Sequence, residues 1–97
     1  MIRHIVLLKL KDETSAEDIE AIKTTLGTMP GNISEIANYA FGQDLAVSSD
    51  TADFGIIADF EGVEAFEAYA KHPHHVAAVQ NVIKPHVAQK TAMQFEI

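Results

Sequence analysis

The first strand of this chain has apolar side chains on both of its faces, which restricts the folds that the chain can adopt. Residues 2–10 are rich in branched aliphatic side chains, and alternate residues of a strand point to opposite faces of a sheet. One face therefore carries His4, Val6, Leu8 and Leu10, and the other carries Ile5 and Leu7. A sheet built on this strand needs helices over one face and a second covering layer over the other. The alternative is a semi-exposed flank at Ile5 and Leu7, since single apolar residues are common on surfaces.

A capping signal predicts an amphipathic helix after this strand. Two registers fit a capping box, either Thr14 with Glu17 or Ser15 with Asp18. The apolar residues that follow at 3-4-3 spacing are Ile19, Ile22, Leu26 and Met29. This spacing gives the helix one apolar face, and we expect it to end near Gly27 before a turn at residues 30–32.

Three more strands and a divided helix follow. We predict a second strand over residues 36–41, a loop through the small and polar residues 42–51, and a third strand over residues 54–60 with alternating apolar side chains. A second helix from residue 63 is divided at His72-Pro73 and continues to Lys84-Pro85, and alternation returns in residues 87–97. The order predicts a single α+β domain over residues 1–97, with the ferredoxin-like pattern β-α-β-β-α(split)-β and a four-stranded antiparallel sheet.

Composition excludes several classes of function. The net charge of −7 gives a surface that repels phosphate backbones and anionic lipids, so we expect neither nucleic-acid nor membrane partners. The apolar run of the first strand contains only four residues before Lys9, too few for a signal sequence or a membrane span. With no cysteine there is neither a disulfide framework nor a thiolate nucleophile, and we predict a cytoplasmic protein.

The candidate site lies at the break between the two helical pieces. Residues 69–75 place one phenol and three imidazoles within seven positions, the only such concentration of groups that exchange protons near neutral pH. Pro73 prevents His72 from continuing the first helix and favours the start of the next one. The residues that we single out here are Tyr69, His72, Pro73 and His75.

The sequence resembles the stress-responsive α/β-barrel family from end to end. The resemblance is carried by the order of the segments His4-Ile5-Val6 up to Lys9, Phe41-Gly42, Asp53-Phe54 up to Phe60, and Tyr69-x-x-His72-Pro73-x-His75-Val76. It implies a homodimer, assembled through the open sheet face into a dimeric α/β barrel. It also implies, by similarity to the plant polyketide-cyclase branch, an acid–base pair at Tyr69 and His75 with His4 nearby in a hydrophobic pocket. The substrate of that branch does not carry over.

Several interpretations of these residues stay open. His75 is either a general base that acts next to a carbonyl group, with Tyr69 as the oxyanion donor, or a structural residue whose ring bonds to the backbone or to Tyr69. His4 is either a second pocket histidine or a buried imidazole paired with the tyrosine or a carbonyl group, and we expect a geometric role for His72 and a solvent environment for His74.

The function hypotheses follow from these alternatives. The preferred one is a homodimeric lyase or cyclase that needs no cofactor and acts on a small hydrophobic carbonyl compound. The rival is a non-catalytic stress-associated or ligand-binding protein, and a cofactor-independent monooxygenase ranks last. A metal site is disfavoured because Pro73 separates His72 from His74, and no nucleotide-binding fingerprint is present.

Overall fold

The computed structural model describes residues 1–97 and has the predicted ferredoxin-like architecture. Its four strands are β1 (Ile2–Leu10), β2 (Asn38–Gln43), β3 (Phe54–Phe60) and β4 (Val87–Glu96). They form one antiparallel sheet in the order β2-β3-β1-β4, so that the first strand is central and the last one lies at an edge. The second strand begins and ends two residues later than predicted, because Gly42 and Gln43 pair with Gly55 and Phe54.

The first helix, α1 (Ala16–Gly27), uses the second of the two capping registers. The Ser15 hydroxyl accepts a hydrogen bond from the Asp18 amide at 3.1 Å, and the Asp18 carboxylate accepts one from the Ser15 amide at 3.0 Å. The turn predicted at residues 30–32 is instead a short helix, α2 (Met29–Asn32), in which proline occupies the second position. Proline is tolerated there because the amide that it lacks would have no partner within the helix.

The second helical segment is divided at Pro73, as the sequence predicted. Helix α3 (Val63–Lys71) ends at His72, which has an extended backbone, and α4 (Pro73–Ala78) begins at the next residue. The chain continues through a π-helical turn at Val79–Ile83 and a 3-10 turn at Lys84–His86 into the last strand. None of these helices has the length and apolar character that crossing a membrane requires.

All the helices pack on one face of the sheet and form the hydrophobic core with it. The sheet contributes alternate residues of its two central strands, which are His4, Val6, Leu8, Phe54, Ile56, Ala58 and Phe60. The helices contribute Ile22, Leu26, Met29, Tyr69, Ala78 and Ile83, with Ile33 from the segment that follows α2. The predicted faces of the first and third strands are thereby confirmed.

The opposite face of the sheet has no cover within the chain, and we call it the open face. One residue from each strand forms an apolar row across its centre, namely Ala40, Ile57, Ile5 and Met93. The side chains of Leu7, Ile57, Met93 and Phe95 are between 38% and 56% exposed. A shallow depression of about 650 Å³ between Ile5, Leu7 and Ile57 adds to this surface. The semi-exposed flank that we considered is thus part of a continuous apolar patch.

A polar cluster closes one end of the open face. The Arg3 guanidinium donates two hydrogen bonds to the Asp59 carboxylate, at 2.8 and 3.0 Å, and the Asn38 amide donates a third at 3.3 Å. The hydrogen bond from Arg3 lowers the pKa of Asp59, which keeps this buried carboxyl group ionised. The paired fork of Arg3 fixes the geometry at this end of the sheet.

Removing the helix cap will test the register that the structure selects. We expect Ser15→Ala to lower the free energy of unfolding by about 1 kcal/mol, because the Asp18 amide loses its acceptor. The matched control is Thr14→Ala, since the Thr14 hydroxyl is buried without a hydrogen-bond partner. Urea unfolding measures both variants. If Thr14→Ala lowered the free energy of unfolding more than Ser15→Ala, Ser15 would not be the helix cap.

Candidate functional site

Three of the predicted site residues border one cavity between the helices and the sheet, and His72 and Pro73 do not line it. It has a volume of about 540 Å³, and part of its wall belongs to the edge strand β4. Most of its wall is apolar, with side chains that include Val6, Leu8, Leu26, Met29, Phe66, Val79 and Ile83. His4, Tyr69 and His75 line the same cavity, so that the first strand and the motif at the helix break meet there. A volume of this size accommodates a small organic molecule.

His75 has one ring nitrogen engaged and the other free to accept a proton. Its Nδ1 lies 3.2 Å from the carbonyl oxygen of Ala70, and since a carbonyl only accepts, Nδ1 carries the proton. Nε2 is then the basic nitrogen of the neutral ring. Burial lowers the pKa of His75, and the charges of Lys90 and His72 lower it as well. The hydrogen bond with Ala70 raises this pKa but does not outweigh the effect of burial. The ring is therefore neutral, and thus basic, at neutral pH.

Tyr69 packs directly against His75. The centroids of the two rings are 4.3 Å apart at an interplanar angle of 42°, and Tyr69 is 5% exposed. Burial raises the pKa of Tyr69 to about 12, so its hydroxyl keeps its proton. The Tyr39 hydroxyl approaches that of Tyr69 but is buried and completes no hydrogen bond of its own. The Tyr69 hydroxyl can therefore act as a donor to a bound molecule.

His4 has a partner that the sequence analysis did not foresee. The amide nitrogen of Gln94 lies 2.8 Å from Nδ1 of His4, where we had expected the tyrosine or a carbonyl group. An amide nitrogen only donates, so Nδ1 accepts and the proton of the neutral ring is on Nε2. Burial lowers the pKa of His4, and the charges of Lys90 and His75 act in the same direction. His4 thus presents a neutral ring beside Phe66, at a centroid distance of 4.9 Å.

The other two histidines of the motif have structural contacts. His72 is the N-cap of α4, where its Nδ1 accepts a hydrogen bond from the His74 amide at 3.1 Å. This contact agrees with the geometric role that we expected for His72. His74 is half-buried, and its Nε2 lies 2.8 Å from the Thr28 hydroxyl in an exposed contact that the sequence analysis did not foresee. That hydroxyl donates to the Thr25 carbonyl, so the His74 ring is the donor and ties α4 to the end of α1.

Two lysines and one glutamine complete the polar part of the wall, and we did not single them out from the sequence. Lys90 and Gln94 project from β4 to the helix side, and Lys84 lies at the turn that precedes this strand. The alternation of β4 did place Lys90 and Gln94 on one face. It could not indicate a cavity, because polar residues on one face of an edge strand are also typical of a solvated surface.

The fold and this cavity define a class of protein, the ferredoxin-like α+β domain with a helix-covered pocket on one side of the sheet and an uncovered apolar face on the other. The model of the family described as "Stress responsive A/B Barrel Domain" matches residues 2–97. The chain belongs to this family, as its motif and segment order predicted. No curated protein matches the sequence.

Solved structures of similar proteins agree with this assignment. A dimeric ferredoxin-like protein of unknown function from Thermobifida fusca is 40% identical, with a TM-score of 0.92 over 99% of this chain and 90% of that one. A dimeric protein of unknown function with a ferredoxin-like fold from Bacteroides fragilis is 25% identical, with a TM-score of 0.87 over 99% and 95% of the two chains. The hydroxynitrile lyase of Passiflora edulis, at 20% identity, shares the fold with a TM-score of 0.86 over 99% and 92%.

Proposed function

We propose that this protein is a homodimeric acid–base enzyme that needs no cofactor and removes a proton next to a carbonyl group of a small apolar compound. The observation that carries the proposal is that His75, Tyr69 and His4 border one apolar cavity. A neutral imidazole and a protonated phenol, held against each other, are a base and a hydrogen-bond donor within reach of the same bound molecule.

Each residue has a role that follows from its hydrogen bonds. His75 accepts the substrate proton at Nε2, because its Nδ1–H is held by the Ala70 carbonyl, which also fixes the ring orientation. Tyr69 donates its hydroxyl hydrogen bond to the oxygen on which the enolate charge develops. His4, whose Nδ1 is held by Gln94, offers Nε2–H as a second donor to the bound molecule. The protonated His75 then returns the proton to the rearranged carbon skeleton or to the leaving group.

The homodimer is proposed from the open face. An apolar patch that crosses all four strands is costly to expose, and a second copy in a face-to-face arrangement would cover both patches at once. The T. fusca and B. fragilis proteins are both described as dimeric. The cavity lies on the other side of the sheet, so each subunit would keep its own site.

Deuterium exchange will test the proposed activity without knowledge of the natural substrate. Apolar ketones and β-diketones are incubated in D₂O with the protein, and loss of the α-proton signal is followed by NMR. We expect the wild type to accelerate exchange and Tyr69→Phe to reduce this acceleration by about a hundredfold, since it removes one oxyanion donor and keeps the ring. Tyr39→Phe is the matched control, because it removes a nearby buried hydroxyl from a residue that does not line the cavity.

The outcomes separate the enzyme from the ligand-binding alternative. Acceleration that depends on Tyr69 supports the acid–base mechanism. Compounds that bind in the cavity and exchange no faster than in buffer would overturn it in favour of a non-catalytic binding protein. Equal loss in both tyrosine variants would assign Tyr69 to packing rather than to chemistry.

A further inference from the structure

The charges on the cavity wall differ from those of the protein as a whole. The chain carries 14 acidic and 7 basic side chains, so a random wall would contain more carboxylates than ammonium groups. The 17 residues that line the cavity include Lys84 and Lys90 and no aspartate or glutamate. Neither lysine forms an ion pair, whereas Arg3 and Lys23 are both paired with carboxylates. Lys9, Lys11 and Lys71 form no ion pair either, so the property that distinguishes the cavity is a wall with two positive charges and no carboxylate.

The two lysines of the cavity wall come from the last strand and from the turn that precedes it. On β4, Lys90 pairs with Leu8 and Gln94 pairs with His4. The two side chains therefore lie on the same face of the strand, with Ala92 between them. The ammonium group still acts on both pocket imidazoles, since its charge lowers the pKa of His4 and of His75. Its field therefore extends into the cavity and is not confined to bulk solvent.

We infer that the ligand of this cavity is an organic anion, with an apolar body between the helices and the sheet and a carboxylate bound by Lys90 and Lys84. The apolar wall provides no group that would bind a carboxylate, and the neutral rings of His4 and His75 provide no net charge. The two ammonium groups are flexible donors that a carboxylate can bridge. This inference rests on the proposed function for the place of binding, and it narrows the substrate class to carbonyl compounds that carry an acid group.

Matched pairs of ligands will test the charge requirement separately from catalysis. Naphthylacetate, phenylbutyrate and octanoate are each compared with their own primary amides, which have the same shape and no charge, by isothermal titration calorimetry. We expect each acid to bind more tightly than its amide by about tenfold, and Lys90→Gln to remove most of this preference without weakening the amide. Raising the salt concentration should weaken only the acids.

The control is Lys23→Gln, which removes the same charge from the outer surface of α1 and should leave the preference unchanged. The double variant Lys84→Gln/Lys90→Gln should abolish it, with circular dichroism to verify the fold. Acids and amides that bind equally well to the wild type would overturn the inference and leave the cavity as a binding site. If no member of any pair binds, both the inference and the proposed place of binding are wrong.

Discussion

We expect the replacement of Ile57 with aspartate to prevent formation of the proposed homodimer. Ile57 lies in the apolar row at the centre of the open face, directly between Ala40 and Ile5. In a two-fold interface each substitution occurs twice, so one change buries two carboxylates that have no positive partner. We expect the dimer dissociation constant to rise by at least about a thousandfold. Sedimentation equilibrium over a range of protein concentrations measures it.

Val63→Asp provides the matched control for this experiment. Val63 is 59% exposed and begins α3 on the helix side of the molecule, so its replacement adds the same charge away from the open face. This variant should remain dimeric. A wild type that sediments as a monomer at micromolar concentration, or an Ile57→Asp variant that dimerises as well as the wild type, would contradict the proposed interface. A monomeric Ile57→Asp variant with an intact circular dichroism spectrum would support it.

Replacing His75 with glutamine will remove the base and nearly abolish the proposed proton exchange. The glutamine amide can still donate to the Ala70 carbonyl, which preserves the contact that holds this part of α4. It cannot accept a proton from carbon, so we expect the rate to fall by about a thousandfold. The matched control is His74→Gln, because His74 binds Thr28 outside the cavity and should contribute nothing to exchange.

The pH dependence of exchange provides a further check on the same residue. The active form of His75 is neutral, and burial holds its pKa below the ordinary value of 6.5. The rate should therefore rise with pH through a midpoint below 6.5 and stay constant at neutral pH. Tyr69 remains protonated throughout, since its pKa is about 12. A midpoint above 6.5, or a His74→Gln variant as impaired as His75→Gln, would assign the base elsewhere.

Much of the fold could be predicted from the sequence because its signals are local. The alternation in residues 2–10 and 54–60 follows from the geometry of a strand, and Pro73 divides the helix because its ring fixes the backbone and removes an amide donor. The capping register could not be chosen in this way, since Thr14 and Ser15 both fit the pattern. Only the geometry of the helix start separates them, with Ser15 bonded and Thr14 unpartnered.

The candidate site was predicted in part. The Tyr-His-Pro motif located Tyr69 and His75 because they are close in sequence, and the family resemblance added His4. The sequence could not identify Gln94 as the partner of His4, since 90 positions separate the two residues. The lysines of the cavity wall were missed for a similar reason, because a lysine in a turn or on an edge strand resembles an ordinary surface residue.

What the sequence determined by itself is the set of elements, their inward and outward faces and the break at His72-Pro73, since each depends on neighbours a few positions away. The tertiary structure alone decided which nitrogen of each imidazole is free, that Lys84 and Lys90 line the same cavity as His4 and His75, and that the open face is one continuous patch. These features depend on strand register and helix docking, which bring together side chains from opposite ends of the chain. Contacts of that range leave no local pattern from which they could be predicted.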